Sequence, residues 1–212
     1  MATCTATVPD LVTSGDTLYG PRICRQAFIN WAWDAHDFDK KDWANGFGFY
    51  SVCDNRRPLS RTLSAIWCLN YSAADYMNES YSSNILQWGR RYVRERIDEL
   101  DARCGSGNIA YTKWGVHNWT QLYLGFFYKR AVSERAGGLV HEARHASGKG
   151  HNDVNHNDSS WDYNGAWRWQ VCWLAWFAHA GTRTSKPLKK LARQRANNIL
   201  KTRFTSKPGF TV

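Results

Sequence analysis

The chain is 212 residues long, with 43% hydrophobic and 22% charged residues, and these ordinary globular values exclude a wholly disordered protein. This length suits one domain with a substantial core. No apolar run reaches the roughly eighteen residues of a membrane-spanning helix, so we expect no membrane span. The 12 tryptophans are unusual, because such large rings must fill a core or line a binding surface.

The net charge of +10 is concentrated at the C-terminal end of the chain. Ten of the 28 cations follow Asp162, the last acidic residue, whereas the other 18 cations are balanced by all 18 acids in residues 1–162. Most of the ten lie in residues 186–212, here called the basic tail. This segment indicates contact with a polyanion, such as nucleic acid or an acidic envelope polymer. The alternative is a solvated helix face that aids solubility.

Six cysteines occur without any Cys-x-x-Cys pair, which excludes zinc ribbons and thioredoxin-like redox motifs. Five of them lie in the first half of the chain, a distribution typical of disulfides, although buried free thiols would give the same pattern. The first residues lack the charged and apolar regions of a signal peptide. We therefore expect a secreted or extracytoplasmic protein whose leader has been removed, with a cytosolic protein as the alternative.

The first half of the chain predicts loops followed by two helices. Residues 1–57 are rich in glycine, aspartate and aromatic residues, and we expect loops with a few short elements there. A helix begins near Pro58. A second helix is predicted with Ser82 or Ser83 as its cap and Gly105 at its end. Its apolar stripe consists of Ile85, Trp88, Tyr92, Val93, Ile97 and Leu100.

The second half begins with strands and returns to helices. Residues 108–128 are rich in Thr, Tyr, Trp, Val and Phe and predict two short strands. A helix follows from Ser133 to a stop at Gly148, and residues 163–180 predict another. The order of helices, strands and helices favours an α+β fold over a doubly wound sheet.

A last helix is predicted to begin at Thr184 or Ser185, with Pro187 in its first turn. Four residues recur on one face of this helix at the spacing of three or four that packing requires. They are Leu188, Leu191, Arg195 and Ile199.

The informative motif is His141-Glu142-x-x-His145-x-x-Gly148-x-x-His151. On a helix, His141 and His145 project from the same face and can hold one metal ion. Glu142 lies beside the first histidine, where its carboxylate can act as a general base on water. Gly148 permits a positive φ, so the chain can turn back and bring His151 in as a third ligand. Three imidazoles leave a fourth tetrahedral position open, which is typical of catalytic zinc.

This eleven-residue motif resembles the long zinc signature of the metzincin metallopeptidases in the zincin superfamily. The resemblance implies a Zn²⁺ site formed by His141, His145 and His151, with Glu142 as the general base. It also implies a zincin-like fold in one catalytic domain. In that fold the active-site helix lies under a small sheet, and a cleft separates an N-terminal subdomain, residues 1–148, from a smaller one, residues 149–212.

The sequence departs from the metzincin pattern in one respect. That family has a methionine in a turn beneath the metal, downstream of the third histidine. The methionines here are Met1 and Met77, both upstream. We expect a tryptophan, a tyrosine or Cys172 of the aromatic segment to provide the hydrophobic floor instead.

Other residues near the motif offer alternatives. Asp153 and His156 are candidate third ligands, and the short repeat His151-Asn-Asp recurs as His156-Asn-Asp. Tyr163 could donate a hydrogen bond to the oxyanion or simply pack. Arg144 should point away from the metal. The lone histidines are expected to be surface or satisfied core residues; they are His36, His117 and His179.

The motif predicts a monomeric zinc-dependent endopeptidase that hydrolyses peptide or protein substrates. An aromatic cleft would suit bulky or apolar side chains. One alternative is a non-catalytic, basic, tryptophan-rich module with a structural zinc that binds nucleic acid or cell-wall glycans. Another is a zinc amidase that acts on a non-peptide amide. Glu142 distinguishes a catalytic zinc from a structural one, because a structural zinc needs the histidines but not the glutamate.

Overall fold

A computed structural model describes residues 18–44, 46–105, 109–113 and 118–212. Within these ranges the chain forms nine α-helices and a three-stranded sheet, which confirms the predicted α+β class. The helices are α1 (Gly20–Ile23), α2 (Gln26–Ala35), α3 (Lys40–Trp43), α4 (Pro58–Tyr71), α5 (Ile85–Arg96), α6 (Leu124–Tyr128), α7 (Val132–Ala146), α8 (Ala166–Ala180) and α9 (Lys186–Thr202). The interpretations of Cys4 and His117 concern residues outside the described ranges.

The N-terminal region is more helical than its composition indicated. The prediction of loops with short elements is wrong for α2, a ten-residue helix that buries Phe28 and Ala32 one turn apart. Tertiary packing of that face overrides the weak local signal. A disulfide joins Cys24, two residues before α2, to Cys53, and Cys104 is also disulfide-bonded.

The remaining two cysteines among the described residues, Cys68 and Cys172, are free thiols. Both of the interpretations offered for the cysteines are therefore right in part. Burial raises the pKa of the Cys68 thiol to about 11, so this group behaves as an inert core residue.

Helix α4 starts at Pro58 as predicted and is buried along almost its entire length. Helix α5 differs from the prediction at both ends. Asn84 caps it, rather than Ser82 or Ser83, because the Asn84 side-chain oxygen accepts a hydrogen bond from the Leu86 amide at 3.1 Å. The helix ends at Arg96, and the residues up to Gly105 are not helical.

The residues after α5 enter the sheet instead. Strand β1 (Glu99–Ala102) pairs in parallel with β3 (Trp119–Leu122), and β3 pairs antiparallel with β2 (Ala110–Lys113). The two strands predicted within residues 108–128 are β2 and β3, but the end of that segment forms α6. In the described sheet β2 is an edge strand, and it packs against α7.

Helix α7 is central, with α4, α5, α8 and α9 packed around it. The Glu134 carboxylate accepts a hydrogen bond from the Ala131 amide at 2.8 Å, which stabilises the first turn. Gly137 allows close approach of α8, since a Cβ there would lie 3.2 Å from Leu174. One hydrophobic core includes residues before and after Gly148.

The last two helices begin close to where the sequence indicated. Helix α8 begins at Ala166 rather than at Tyr163, because Asn164 takes a left-handed conformation that ends a short 3₁₀ turn over Trp161–Tyr163. Ser185 caps α9 as predicted. Across the described ranges, no helix has both the length and the apolar character needed to cross a membrane.

Candidate metal centre

Helix α7 carries the first part of the histidine motif and ends where the motif requires a turn. His141, Glu142 and His145 lie in its last two turns. Gly148 adopts φ +82°, as predicted, and its amide donates to the His145 carbonyl at 2.8 Å. The chain therefore leaves the helix axis at Gly148 and turns back, which brings His151 to the histidine face of α7.

Three imidazoles converge on one point. His141, His145 and His151, here called the histidine centre, each offer a ring nitrogen, and these atoms lie within 4.8 Å of one another. The Nε2 atoms of His141 and His145 are 3.1 Å apart. The His151 ring centroid lies 5.2 Å from that of His141 and 4.6 Å from that of His145. The three residues predicted as ligands are thus brought together.

The outer ring nitrogens have partners that orient two of these imidazoles. His145 Nδ1 lies 2.7 Å from the Lys149 carbonyl oxygen, so Nδ1 donates this hydrogen bond and Nε2 is the nitrogen that faces His141. His151 Nδ1 lies 2.8 Å from Oδ1 of the fully buried Asp158. Carbonyl and carboxylate partners of this kind are what zinc-bound histidines use.

The charge state of His141 also fits a metal ligand. Burial, with His145 and His151 as secondary causes, lowers the pKa of His141 well below its usual value. Metal ligation requires neutral imidazole. His141 Nδ1 is itself buried without a hydrogen-bond partner among the described atoms. Three converging imidazole nitrogens therefore fit Zn²⁺, with room in a tetrahedron for one further ligand.

Glu142 is held beside the histidines by the sheet. The Thr112 hydroxyl on β2 donates to Glu142 Oε2 at 2.8 Å, and it accepts from the Thr120 hydroxyl at the same distance. Burial raises the pKa of the Glu142 carboxyl, while His145 and the Thr112 hydrogen bond act in the opposite direction. Glu142 is only 7% exposed, and the hydrogen bond from Thr112 holds its carboxyl group in place.

An aromatic ring, that of Trp167, packs against the histidine centre. The Trp167 ring lies 4.2 Å from the His141 ring and 5.3 Å from the His151 ring, centroid to centroid. Its Nε1 donates to the His156 carbonyl at 2.7 Å, which fixes the ring. Of the aromatic candidates named from the sequence, the structure brings Trp167 to this place.

The other two candidate third ligands point elsewhere. Asp153 accepts hydrogen bonds from the Val154 amide and the Thr205 hydroxyl in an exposed loop. The His156 ring is exposed and lies 6.0 Å from the His151 ring. Neither residue belongs to the converging group, so His151 fits the third position.

Tyr163 and Arg144 flank the centre without joining the converging group. The Tyr163 hydroxyl donates to the Gly150 carbonyl at 2.8 Å, and its role toward an oxyanion stays a prediction. Arg144 points away, as expected, because it donates two hydrogen bonds to the Asn164 carbonyl at 2.9 and 3.1 Å. Its guanidinium also stacks 4.5 Å from the Trp169 ring.

The lone histidines within the described ranges lie away from the centre. His36 is fully buried near Trp31 and Phe38, and burial lowers its pKa to about 3. It is thus a neutral core residue, although neither ring nitrogen has a hydrogen-bond partner among the described atoms. His179 is exposed at the end of α8.

A second group of potential metal ligands lies beside β1. Oxygens of Asp42, Glu99 and Asp101, here called the acidic cluster, also lie within 4.8 Å of one another. Arg103 forms ion pairs with Asp42 and Asp101, the latter at 2.9 Å. The guanidinium thus supplies the positive charge that these carboxylates need.

The basic tail is not uniformly solvated, which corrects one of its two interpretations. Arg195 is mostly buried, and its Nε lies 3.5 Å from Glu134 Oε1. The Arg203 guanidinium lies 4.9 Å from the Trp167 ring centroid. Arg193 on the opposite face of α9 is exposed. Arg195 and Arg203 therefore belong to the surroundings of the histidine centre.

Sequence reasoning missed several residues that complete the centre. Asp158 ends the second His-Asn-Asp repeat, so this repeat was a signal for it. Thr112 carried no local signal, because its contact with Glu142 joins residues thirty positions apart. Arg195 was marked by its place in the packing stripe of α9.

The chain was compared with protein-family models, curated proteins and solved structures, and it matches none of them. The likeness to a known family therefore rests on the eleven residues from His141 to His151. The chemistry of the centre follows from the side chains and contacts described above.

Proposed function

We propose that this protein is a zinc-dependent endopeptidase with a zincin-like arrangement. In this proposal residues 1–148 carry the sheet and the active-site helix α7, and residues 149–212 close the cleft. The observation that carries it is the pairing of a converging histidine centre with Glu142, a buried carboxylate on the same helix. The Thr112 hydroxyl holds that carboxylate at 2.8 Å. A purely structural zinc site has no use for such a residue.

Each residue has a defined task in this reaction. His141, His145 and His151 would hold a zinc ion, which would supply a Lewis acid for the substrate carbonyl and for water. Glu142 removes a proton from the attacking water and delivers it to the nitrogen of the leaving amine. Thr112 orients the carboxylate, and the raised pKa of Glu142 makes it a stronger base than an exposed carboxylate. Asp158 orients the imidazole ring of His151, and the Lys149 carbonyl orients that of His145.

An extended peptide is favoured over a non-peptide amide by the position of β2. This strand lies at the edge of the described sheet, and Thr112 on it contacts the general base. A peptide can add to such an edge by main-chain hydrogen bonds, which lays a scissile bond along the strand. Recognition through the main chain suits an endopeptidase that accepts many sequences.

The proposal is tested by Glu142→Gln, which keeps the size of the side chain but cannot accept a proton. We expect one zinc per chain and unchanged folding, while cleavage of a denatured protein falls about 10²–10⁴-fold, as for loss of a positioned general base. Glu95→Gln is the matched control, because Glu95 is an exposed carboxylate on α5. It should cleave like wild type.

Two measurements read the result: metal analysis of each purified variant and the rate of appearance of new amino termini. A Glu142→Gln protein that binds zinc and cleaves within a fewfold of wild type would contradict the mechanism. The non-catalytic binding module would then be the better interpretation.

A further inference from the structure

A small cavity adjoins the histidine centre. It has a volume of about 80 Å³, and both His141 and Glu142 line it. Gly138, one turn before His141 on α7, and Ala110 on β2 form part of its wall. A water molecule occupies about 30 Å³ of liquid, so the cavity has room for a short side chain and not for a large aromatic ring.

The described lining of this cavity carries more cations than acids. It contains three guanidinium groups, those of Arg130, Arg195 and Arg203, and two carboxyl groups, those of Glu134 and the general base Glu142. Arg130 lies 3.9 Å and Arg195 3.5 Å from the same Glu134 oxygen. One carboxylate is thus shared by two arginines at distances longer than a strong charge-assisted hydrogen bond.

Arg195 is a largely buried cation of this lining. Its side chain is 16% exposed, and its Nε has no hydrogen-bond partner among the described atoms. Burial lowers its pKa to about 10, so the group is still charged at neutral pH. A buried guanidinium with incomplete pairing is costly unless an anion completes it. A carboxylate can accept two parallel hydrogen bonds from one guanidinium group, in a bidentate arrangement.

We propose that this cavity receives a carboxylate of the substrate residue next to the scissile bond, held by Arg195 and assisted by Arg203. The inference rests on the proposed peptidase function and adds a substrate class to it. It replaces the expectation of bulky or apolar side chains at this position. The carboxylate comes from an aspartate or glutamate side chain or from the free end of a peptide chain.

The test uses the wild-type protein with short peptides that differ at one residue and end in an amide. Peptides with Asp or Glu beside the cleaved bond should be cleaved at least about tenfold faster than those with Asn or Gln, as expected for a charged hydrogen bond. A second set with free C termini distinguishes the two sources. If only these are cleaved, and next to the last residue, the carboxylate is terminal.

Variants of Arg195 on α9 and of Arg203, the residue that follows this helix, assign the preference to the cavity. Arg195→Gln should remove the preference for the acidic peptide. Arg203→Gln should weaken it, and this variant decides the question if Arg195→Gln fails to fold. Arg193→Gln is the matched control, since Arg193 lies two residues from Arg195 on the exposed face. It should keep the wild-type preference.

Binding is measured separately with Glu142→Gln, in which cleavage is suppressed. Titration calorimetry should show tighter binding of the Asp peptide than of the Asn peptide, and Arg195→Gln added to this variant should abolish the difference. Equal binding and equal cleavage of the acidic and amide peptides, with or without a free C terminus, would overturn the inference. Absence of cleavage together with the expected binding preference would refute the peptidase and leave the carboxylate site standing.

Discussion

The histidine centre on α7 and the acidic cluster beside β1 each bring three potential metal ligands within 4.8 Å. In the histidine centre, the outer nitrogens of His145 and His151 are bound by a carbonyl and a carboxylate. The other ring nitrogens of these two residues converge with a ring nitrogen of His141. In the acidic cluster, the oxygens turn to the guanidinium of Arg103.

The difference lies in what the neighbouring groups do. Acceptors behind an imidazole fix its hydrogen on the outside and leave the lone pair for a metal. A guanidinium beside carboxylates already neutralises them, so a cation would have to displace it. Proximity of donor atoms is therefore a weak criterion for a metal site. The partners of those donors are a stronger one.

Removal of one ligand should have the largest effect. His145→Ala leaves two imidazoles, which hold zinc far more weakly than three. We expect zinc content to fall from one per chain to near zero after dialysis, measured by plasma emission spectrometry. Asp101→Asn removes a donor from the acidic cluster and should retain one zinc. Full zinc in the His145→Ala protein, or loss of zinc in Asp101→Asn, would mean that the two groups have been assigned the wrong way round.

Weakening the hydrogen-bond acceptor of a ligand histidine should have a smaller effect on zinc binding than removing the histidine. Asp158→Asn keeps the size of the side chain but weakens the acceptor behind His151. Zinc affinity should fall about 10–100-fold, as is typical of such partners. The affinity is measured by competition with a chelator. Asn152→Ala, which removes an exposed side-chain contact in the same loop, serves as the control. An unchanged affinity in Asp158→Asn would show that His151 does not ligate through its inner nitrogen.

The sequence predicts the part of this centre that is local. Residues four apart on a helix share a face, so His141 and His145 could be paired without knowledge of the fold. Gly148 could be assigned a positive φ because no other residue is so free to adopt one. Helix boundaries at Pro58 and Ser185 follow from equally local rules.

The remainder depends on contacts between distant segments. Thr112 reaches Glu142 only because β2 packs on α7, and periodicity carries no information about that approach. Strand β1 could not be predicted because Ile97 and Leu100 continue the helical spacing of α5. In the structure α5 ends at Arg96, and Leu100 is buried in β1 instead. Arg195 occurs in the packing stripe predicted for α9, but the high positive charge of the basic tail indicated that its cations would be exposed to solvent.

The two groups should respond to pH in opposite directions. Burial, and next the charge of Asp42, raise the pKa of Asp101 to about 7, above the value near 4 of an unfolded chain. Folding therefore favours the protonated form, and this contribution to stability is lost as pH rises from about 4 to 7. The histidine centre should instead lose zinc as pH falls, because protons compete for the imidazoles.

Urea unfolding of wild type and Asp101→Asn between pH 4 and 8 measures the first effect. The free energy of unfolding of wild type should fall relative to the variant as pH rises, by at most about 1.4 kcal/mol per pH unit for one proton. Both proteins are compared without zinc, so that the histidine centre contributes equally. A difference between them that is constant over this range would show that Asp101 keeps an ordinary pKa.

The exposed cations of α9 form a third group of charged residues, one that is surrounded by solvent. Lys186, Lys190 and Arg193 line a basic surface on the side of α9 away from Arg195. Since they lie in solvent, replacing all three by glutamine should change the cleavage rate of a small neutral peptide less than twofold, the smallest effect expected here. Retention on a polyanion column should fall, and the salt dependence of the wild-type protein should be lost. Arg195→Gln alone should do the reverse, altering peptide selection with little change in retention. If the triple variant loses hydrolysis, the outer face of α9 belongs to the active site, and the division of this helix into an inner and an outer charge set is wrong.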